Sequence, residues 1–292
     1  MNVTVTGATG LIGSAVCRLL VERGYEVWPV RHSVVDLRAP IDVNGVYWNE
    51  TDAVIHCGAR ISGVAGQLAD PAAAVTDNLV MTARILEAVA KAKPQPKKFV
   101  FLSSSTVYPA YGYAMKEDCI AGPDLHYEGV GGMKVYCEQL CAFYRNKYGL
   151  QSTILRPTAV YGPGDRSDHV IPDLIRRALA TPANEALQVN GSAETVRDFV
   201  YVDDVAEACI AAITGPAGPF NIGSGEKTTL GDLATCIAEI AGHAQVRYAP
   251  EKAAAISYRQ VDISWAKKQL GWTPKTSLQD GIKRTVDWMK TR

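Results

Sequence analysis

Three glycines near the amino terminus have the spacing of a phosphate-binding turn. The run Gly7-Ala8-Thr9-Gly10-Leu11-Ile12-Gly13 follows the β-branched segment Val3–Thr6 and precedes an apolar helical pattern, so it lies where a strand gives way to a helix. Gly7 permits the tight turn, Gly10 lets the backbone approach a pyrophosphate, and Gly13 lets the helix pack closely on the strand. The first amides of the helix then face the anion. The turn predicts a dinucleotide site with contacts from Gly7, Thr9, Gly10, Leu11, Ile12 and Gly13.

The end of the second predicted strand indicates which dinucleotide is bound. An acidic residue at this point hydrogen-bonds the ribose 2′-hydroxyl of NAD, whereas an arginine accommodates the 2′-phosphate of NADP. The chain reads Val30-Arg31-His32-Ser33, without an acid. We therefore expect NADP(H) to be preferred over NAD(H), with Arg31 at the phosphate. The alternative for Arg31 is a solvated arginine with no ligand.

The composition restricts the partners. Thirty basic residues balance thirty acidic ones, so no net charge favours nucleic acid or an anionic membrane. The seven cysteines are scattered, with no Cys-x-x-Cys pair and no histidine at metal-ligand spacing, which favours buried, reduced thiols over a metal site. No targeting leader precedes the first strand, and no run reaches the roughly 18–20 apolar residues of a membrane span. We expect a cytoplasmic protein without a bound metal.

Short β-branched runs alternate with helical patterns in the first part of the chain. Strands are predicted at Val3–Thr6, Glu26–Val30, Ala53–His56, Lys98–Ser103 and Ser152–Arg156. Helices are predicted over about Leu11–Arg23, Val75–Ala92 and Lys134–Tyr148. Such alternation is typical of βαβ units, in which right-handed crossovers join parallel strands.

These elements predict an α/β fold, a Rossmann-like doubly wound parallel sheet with a smaller α+β carboxyl-terminal domain. We expect a dinucleotide-binding domain over residues 1–164, to which residues 197–222 return, and a substrate-binding domain over residues 165–292. The returning segment is inferred from the strand-like runs Phe199–Val202 and Phe220–Ile222.

Several further motifs occur in the order found in one enzyme family: Asp52–Ala59, Ser103–Tyr108, Leu155–Pro157, Arg197–Asp204 and Leu270–Pro274. With the glycine turn, they resemble the extended short-chain dehydrogenase/reductases, the NAD-dependent epimerases and dehydratases of nucleotide sugars. The resemblance covers nearly the whole chain, and its pattern is closest to the GDP-L-fucose synthases. It implies a cofactor site that also includes His32, Asp36, Cys57, Gly58, Ala59, Asn78, Lys134 and Pro157.

The resemblance also implies a catalytic serine and lysine, Ser104 and Lys134. In the family a tyrosine four residues before the lysine is the general acid/base, and here that position is Val130, which has no proton to give. Three alternatives follow. A glycine-containing loop could bring Tyr127 or Glu128 into the vacant place, another group could transfer the proton, or the oxidoreductase chemistry has been lost and the fold binds or regulates.

Four other side chains resemble substrate-site residues of GDP-L-fucose synthases. His169 stands in a segment like the one that carries their catalytic histidine, although a histidine before a helix can also be a capping residue. Thr106 occupies the place of their cysteine base and is a far poorer base, because its pKa lies well above that of cysteine. Arg197 and Arg259 resemble arginines that grip the diphosphate, and surface ion pairing is the alternative.

The leading hypothesis is an NADP(H)-dependent epimerase, reductase or dehydratase that acts on a nucleotide-activated keto-hexose. Ser104 would polarise the oxygen, Lys134 would hold the ribose and His169 would move a proton. One alternative is a noncatalytic cofactor-binding or regulatory member, and another is an enzyme on a different carbonyl substrate. The family also implies a homodimer that pairs the helices near residues 75–92 and 134–148.

Overall fold

The computed structural model describes residues 1–41, 48–60, 70–119, 128–243, 245–249 and 258–291. The strands are β1 (Asn2–Thr6), β2 (Glu26–Val30), β3 (Ala53–His56), β4 (Lys98–Leu102), β5 (Ser152–Pro157), β6 (Ala159–Tyr161), β7 (Leu187–Asn190), β8 (Val196–Arg197), β9 (Phe199–Tyr201), β10 (Gly218–Ile222), β11 (Thr228–Thr229) and β12 (Val246–Ala249). The helices are α1 (Leu11–Glu22), α2 (Pro71–Lys91), α3 (Glu128–Tyr148), α4 (Val170–Ala180), α5 (Val202–Thr214), α6 (Leu230–Ala241), α7 (Ser264–Leu270) and α8 (Leu278–Lys290).

The central sheet is parallel, with six strands in the order β10-β5-β4-β3-β1-β2. Strands β3, β4 and β5 are buried along their whole length, as expected where helices cover both faces of a parallel sheet. The predicted Rossmann-like fold is therefore confirmed. The carboxyl ends of β1, β3, β4 and β5 meet at one edge, which is where such sheets bind their ligands.

Alternate residues of each strand enter different apolar layers. Val3, Val5 and Ile55 pack with α1 and α5 in one cluster, while Val54 and Phe99 pack with α2 and α3 in another. The first cluster continues without a break into α4, α6 and α8 through Leu174, Leu233 and Ile282.

Two helices begin earlier in the structure than the sequence predicts. Helix α2 begins at Pro71, where Asp70 accepts a hydrogen bond from the amide of Ala73 at 3.1 Å. Helix α3 begins at Glu128, so the glycines at 129, 131 and 132 that suggested a loop are helical. A β-carbon on Gly129 would lie 3.4 Å from Val75, which shows how closely α3 approaches α2 there. Tyr127 lies outside the described residues.

The predicted strand Phe199–Val202 ends at Tyr201 and pairs with β6 in a separate two-stranded ladder, not with the central sheet. The predicted strand at Phe220–Ile222 does join the central sheet, as its edge strand β10 beside β5. Among the described helices, none combines the length and the apolar character that crossing a membrane requires.

Candidate active site

The glycine turn is shaped by contacts that allow no side chain. Gly7 has a φ of +66°, and a β-carbon on it would lie 2.7 Å from the backbone of Gly58. A β-carbon on Gly13 would clash with the carbonyl of Gly7. The amide of Gly10 donates to that same carbonyl at 2.9 Å, which closes the turn. Strand β1, the turn after β3 and helix α1 are therefore in close backbone contact here.

The start of α1 fits a phosphate. No side chain within the described part of the chain caps this end of the helix, and its first turn carries no acidic residue. Because the first amides of a helix have no partner within it, an exposed start without a competing carboxylate attracts an anion. Thr9 and Gly10 are exposed here, and Leu11 and Ile12 are partly so.

The end of β2 lies beside the glycine turn, because the amide of Ala8 donates to the Val30 carbonyl at 3.4 Å. Arg31 and His32 follow directly and are exposed. Asp36 is paired with Arg38, whose guanidinium donates to both carboxylate oxygens at 2.8–3.2 Å. These hydrogen bonds hold the pKa of Asp36 well below its usual range.

Asn78 lies on α2 beneath the turn that follows β3. Its side chain accepts from the amide of Arg60 at 2.8 Å and donates to the carbonyls of Arg60 at 3.0 Å and Ala74 at 2.7 Å. The Asn78 amide group therefore shapes the segment that contains Cys57, Gly58 and Ala59. Pro157 ends β5 and is buried.

Ser104 and Thr106 follow the end of β4 and form a short 3-10 turn. The Ser104 hydroxyl accepts from the amide of Thr106 at 3.1 Å, which leaves its own proton available to another oxygen. The Thr106 hydroxyl is buried and has no hydrogen-bond partner among the residues that the structure describes.

Lys134 extends from α3 to the same strand end. Its ammonium donates to the Leu102 carbonyl at 2.7 Å and lies 4.9 Å from the ring centre of Phe101. Desolvation lowers the pKa of Lys134. Val130 lies one helical turn earlier and packs against the apolar cluster between α2 and α3. Val130 and Lys134 therefore lie one turn apart on the same face of α3.

Two arginines of the carboxyl-terminal half lie together. Val196 and Tyr258 form a parallel bridge. The residues that follow them, Arg197 and Arg259, therefore lie on neighbouring backbone segments. The Arg259 guanidinium donates to the Ser105 carbonyl at 2.8 Å, which places it beside the end of β4. Arg197 donates to the carbonyl of Val196 at 2.8 Å.

His169 lies apart from these contacts. It is exposed and immediately precedes α4. Its imidazole makes no hydrogen bond or ion pair with the residues that the structure describes, while its backbone amide donates to Ser167. The geometry therefore brings together Ser104, Thr106, Lys134 and Arg259, and it joins His169 to none of them.

A family model, the NAD dependent epimerase/dehydratase family, matches residues 3–223. The chain belongs to this family. It is 31% identical to GDP-L-fucose synthase 1 of Arabidopsis thaliana, an alignment that covers 98% of this chain and 92% of that protein. UDP-glucose 4-epimerase of Thermotoga maritima with UDP-glucose superposes with a TM-score of 0.84 at 30% identity, covering 100% and 99% of the two chains. UDP-glucose 4-epimerase of Thermus thermophilus in complex with NAD gives 0.82 at 30% identity, with 99% of each chain covered.

The predicted membership of the extended short-chain dehydrogenase/reductases is confirmed. The NAD-dependent epimerase/dehydratase family consists of NAD(P)-dependent enzymes of the epimerase and reductase type, and the glycine turn of this chain has the form that such a cofactor requires.

The family motifs did not reveal the buried polar network behind the site. Glu138 accepts two hydrogen bonds from Arg156, at 2.6 and 3.0 Å, and one from Ser103 at 2.5 Å. Arg156 also donates to the Tyr108 hydroxyl at 2.7 Å, and Tyr108 donates to Asn221 at 2.7 Å. An arginine within a buried strand was the available signal, because a buried charge requires a partner.

Proposed function

We propose that this protein is an NADP(H)-dependent epimerase or reductase, or a dehydratase, that acts on a nucleotide-activated keto-hexose. The carrying observation is the arrangement at the end of β4. Lys134 binds the Leu102 carbonyl and Arg259 binds the Ser105 carbonyl, so cationic side chains hold the backbone just before and just after Ser104. The similarity to a GDP-L-fucose synthase and to UDP-glucose epimerases supports a sugar nucleotide as substrate.

Each side chain has a role that its contacts allow. When bound, the dinucleotide supplies hydride exchange at its nicotinamide. The Ser104 hydroxyl donates a hydrogen bond to the substrate oxygen and so polarises it, and Lys134 holds the nicotinamide ribose. Arg197 and Arg259 bind the diphosphate, because guanidinium groups offer paired donors to phosphate oxygens.

A proton donor other than the family tyrosine is required. Val130 cannot serve, and the Thr106 hydroxyl is a poor base. We assign the proton transfer to His169, because an imidazole can both donate and accept a proton. Its exposed place before α4 leaves the imidazole accessible to a substrate.

We further propose that the sugar nucleotide binds between a dinucleotide-binding part, residues 1–164 with 197–222, and the rest of residues 165–292. The contact of Arg259 with the Ser105 carbonyl supports this division. Seven free thiols fit a reducing compartment, from which we infer a cytoplasmic enzyme.

The preference for NADP(H) rests on the end of β2. Arg31 is exposed beside the glycine turn, and the carboxylate of Asp36 is already bound by Arg38. Arg31→Ala should therefore weaken NADPH binding and leave NADH binding nearly unchanged. Arg84→Ala, at a partly exposed arginine of α2, is the matched control. Equal losses for both dinucleotides would contradict the assignment.

The activity is tested with GDP-, UDP- and dTDP-4-keto sugars plus NADPH, by following absorbance and product. We expect turnover with one of them, and Lys134→Ala and His169→Asn should abolish it. Val130→Tyr tests the missing tyrosine, and a gain in reductase activity would show that the rest of the site is intact. Tight NADPH binding without turnover across the panel would favour the noncatalytic alternative.

A further inference from the structure

His56 ends β3 and lies directly beneath the cofactor turn. Its side chain is buried, with an exposed fraction of 2%, and its ring stacks on Phe101 with centres 6.0 Å apart. Its Nδ1 lies 2.6 Å from the hydroxyl of Thr6 on β1, and its Nε2 lies 3.4 Å from the hydroxyl of Thr82 on α2. Both threonines are buried. One imidazole therefore joins two strands of the sheet to a helix.

The neighbouring hydrogen bonds fix the proton on this ring. The Thr82 hydroxyl donates to the carbonyl of Asn78 at 2.8 Å, and since a hydroxyl has a single proton, it can only accept from His56. Nε2 of His56 therefore carries the proton. In the neutral ring Nδ1 is then an acceptor, and the Thr6 hydroxyl donates to it.

The Thr6 hydroxyl also accepts from the amide of Gly58 at 3.3 Å. The hydrogen bonds thus run in one direction, from Gly58 through Thr6, His56 and Thr82 to the carbonyl of Asn78. The Asn78 side chain in turn binds both backbone groups of Arg60. Both ends of the turn at residues 58–60 are therefore held to α2.

This turn forms one wall of the phosphate site. The Cα and N atoms of Gly58 are the atoms that a β-carbon on Gly7 would meet at 2.7 Å. A shift of Gly58 would therefore move the backbone against which the Gly7 turn is packed. The chain of hydrogen bonds therefore reaches this wall from within the core, through Gly58.

We propose that His56, as the neutral Nε2-protonated tautomer, is a positioning residue for the dinucleotide. It holds the Gly58 wall of the phosphate turn to α2 through the two threonine hydroxyls. The proposal rests on cofactor binding at the glycine turn. A second proton on the ring would turn Nδ1 into a donor and leave the Thr6 hydroxyl without its acceptor. Burial opposes that protonation, and the charge of Lys134 on α3 opposes it further.

The test removes the hydroxyl that is farther from the glycine turn. Thr82→Val keeps the shape of the side chain and deletes the acceptor for Nε2, which should weaken NADPH binding about tenfold in calorimetry. Thr82→Ser restores a hydroxyl and should bind as the wild type does. Thr4→Val is the matched control, because it deletes a buried hydroxyl that pairs with Thr51 at 2.6 Å elsewhere in the sheet. It should lower stability and leave the affinity unchanged.

A second measurement needs no variant. Nitrogen NMR of the histidine-labelled wild type should show one imidazole that keeps its proton on Nε2 and does not titrate between pH 5 and 9. A His56 ring that titrates in this range, or that carries its proton on Nδ1, would overturn the proposal. So would calorimetry in which Thr82→Val keeps the wild-type NADPH affinity, or in which Thr4→Val lowers that affinity as much as Thr82→Val does. If the wild type binds neither NADPH nor NADH, cofactor binding fails as well. Retained binding in Thr82→Val would refute the positioning role alone.

Discussion

Gly13 is a residue at which the cofactor turn tolerates no added atom. Alanine there would place a methyl group against the carbonyl of Gly7, and the backbone would have to move. We expect Gly13→Ala to lower the free energy of unfolding by about 1–3 kcal/mol, as overpacking does, and to abolish measurable NADPH binding. Urea unfolding and calorimetry measure the two effects.

The control for this substitution is Gly132→Ala in α3. A β-carbon on Gly132 meets no atom within 4 Å, and alanine favours a helix more than glycine does. Gly132→Ala should therefore raise the free energy of unfolding by about 0.5–1 kcal/mol and keep the cofactor affinity. Unchanged NADPH binding in Gly13→Ala would show that the turn is not the phosphate site.

His56 makes stability depend on pH. Burial, with a smaller effect of Lys134, lowers its pKa from the ordinary 6.5 to about 3. Between these values the unfolded chain binds a proton that the folded chain does not, so stability falls as the pH falls. We expect a loss of about 3 kcal/mol between neutral pH and about pH 4 from this group.

Urea unfolding at several pH values, compared between the wild type and His56→Leu, checks this expectation. Leucine is apolar and does not titrate, so the variant should lose less stability on acidification even if it is less stable at neutral pH. Parallel pH profiles for the two proteins would show that folding does not lower the pKa of His56.

Among the secondary structure elements, α3 depends most on a buried charge. Glu138 holds the guanidinium of Arg156, and both side chains are buried. Glu138→Gln would leave that guanidinium without its counter-charge, at a cost of about 3–5 kcal/mol in the free energy of unfolding. Lys134 lies one turn earlier on α3, so cofactor binding should weaken too. Glu87→Gln, at an exposed pair with Lys91, should leave the urea midpoint unchanged. Similar midpoints for both variants would contradict this account.

Elements with strong local signals could be predicted from the sequence. The bounds of β2 and β3 match, and so does the end of α3, because β-branched runs and a following Gly149 mark them. The predicted start of α2, at Val75, lies four residues after the observed one, although Asp70 and Pro71 are a typical cap and first helical residue. The start of α3 could not be predicted locally, since its glycines disfavour a helix and packing against α2 overrides that preference.

At the candidate site, too, only features with a local sequence signal could be predicted. The glycine turn could be predicted because its spacing is local, whereas the contact of Arg259 with Ser105 joins residues 154 positions apart. His56 belongs to the motif Asp52–Ala59, but its role depends on Thr6 and Thr82, which only the folded chain brings to it. Sequence patterns name such residues without stating which atoms they bind.

At the scale of the whole molecule, we propose a homodimer that uses α3. Tyr136, Phe143 and Tyr148 on this helix are 58%, 48% and 47% exposed, and Tyr144 stacks on Tyr148 with ring centres 5.3 Å apart. Tyr136 and Phe143 are seven residues apart and so share one helix face. Aromatic side chains are enriched at protein interfaces, where burial stabilises them.

Light scattering should therefore give twice the chain mass of 31.4 kDa for the wild type. The double change Tyr136→Glu and Phe143→Glu should give monomers, because burying two carboxylates at an apolar contact costs more than the contact gains. Trp265→Glu, at an exposed aromatic residue of α7, should remain dimeric. A monomeric wild type would refute the dimer, and a dimeric double variant would place its interface elsewhere. NADPH binding by the double variant would show that each subunit folds and holds the cofactor by itself.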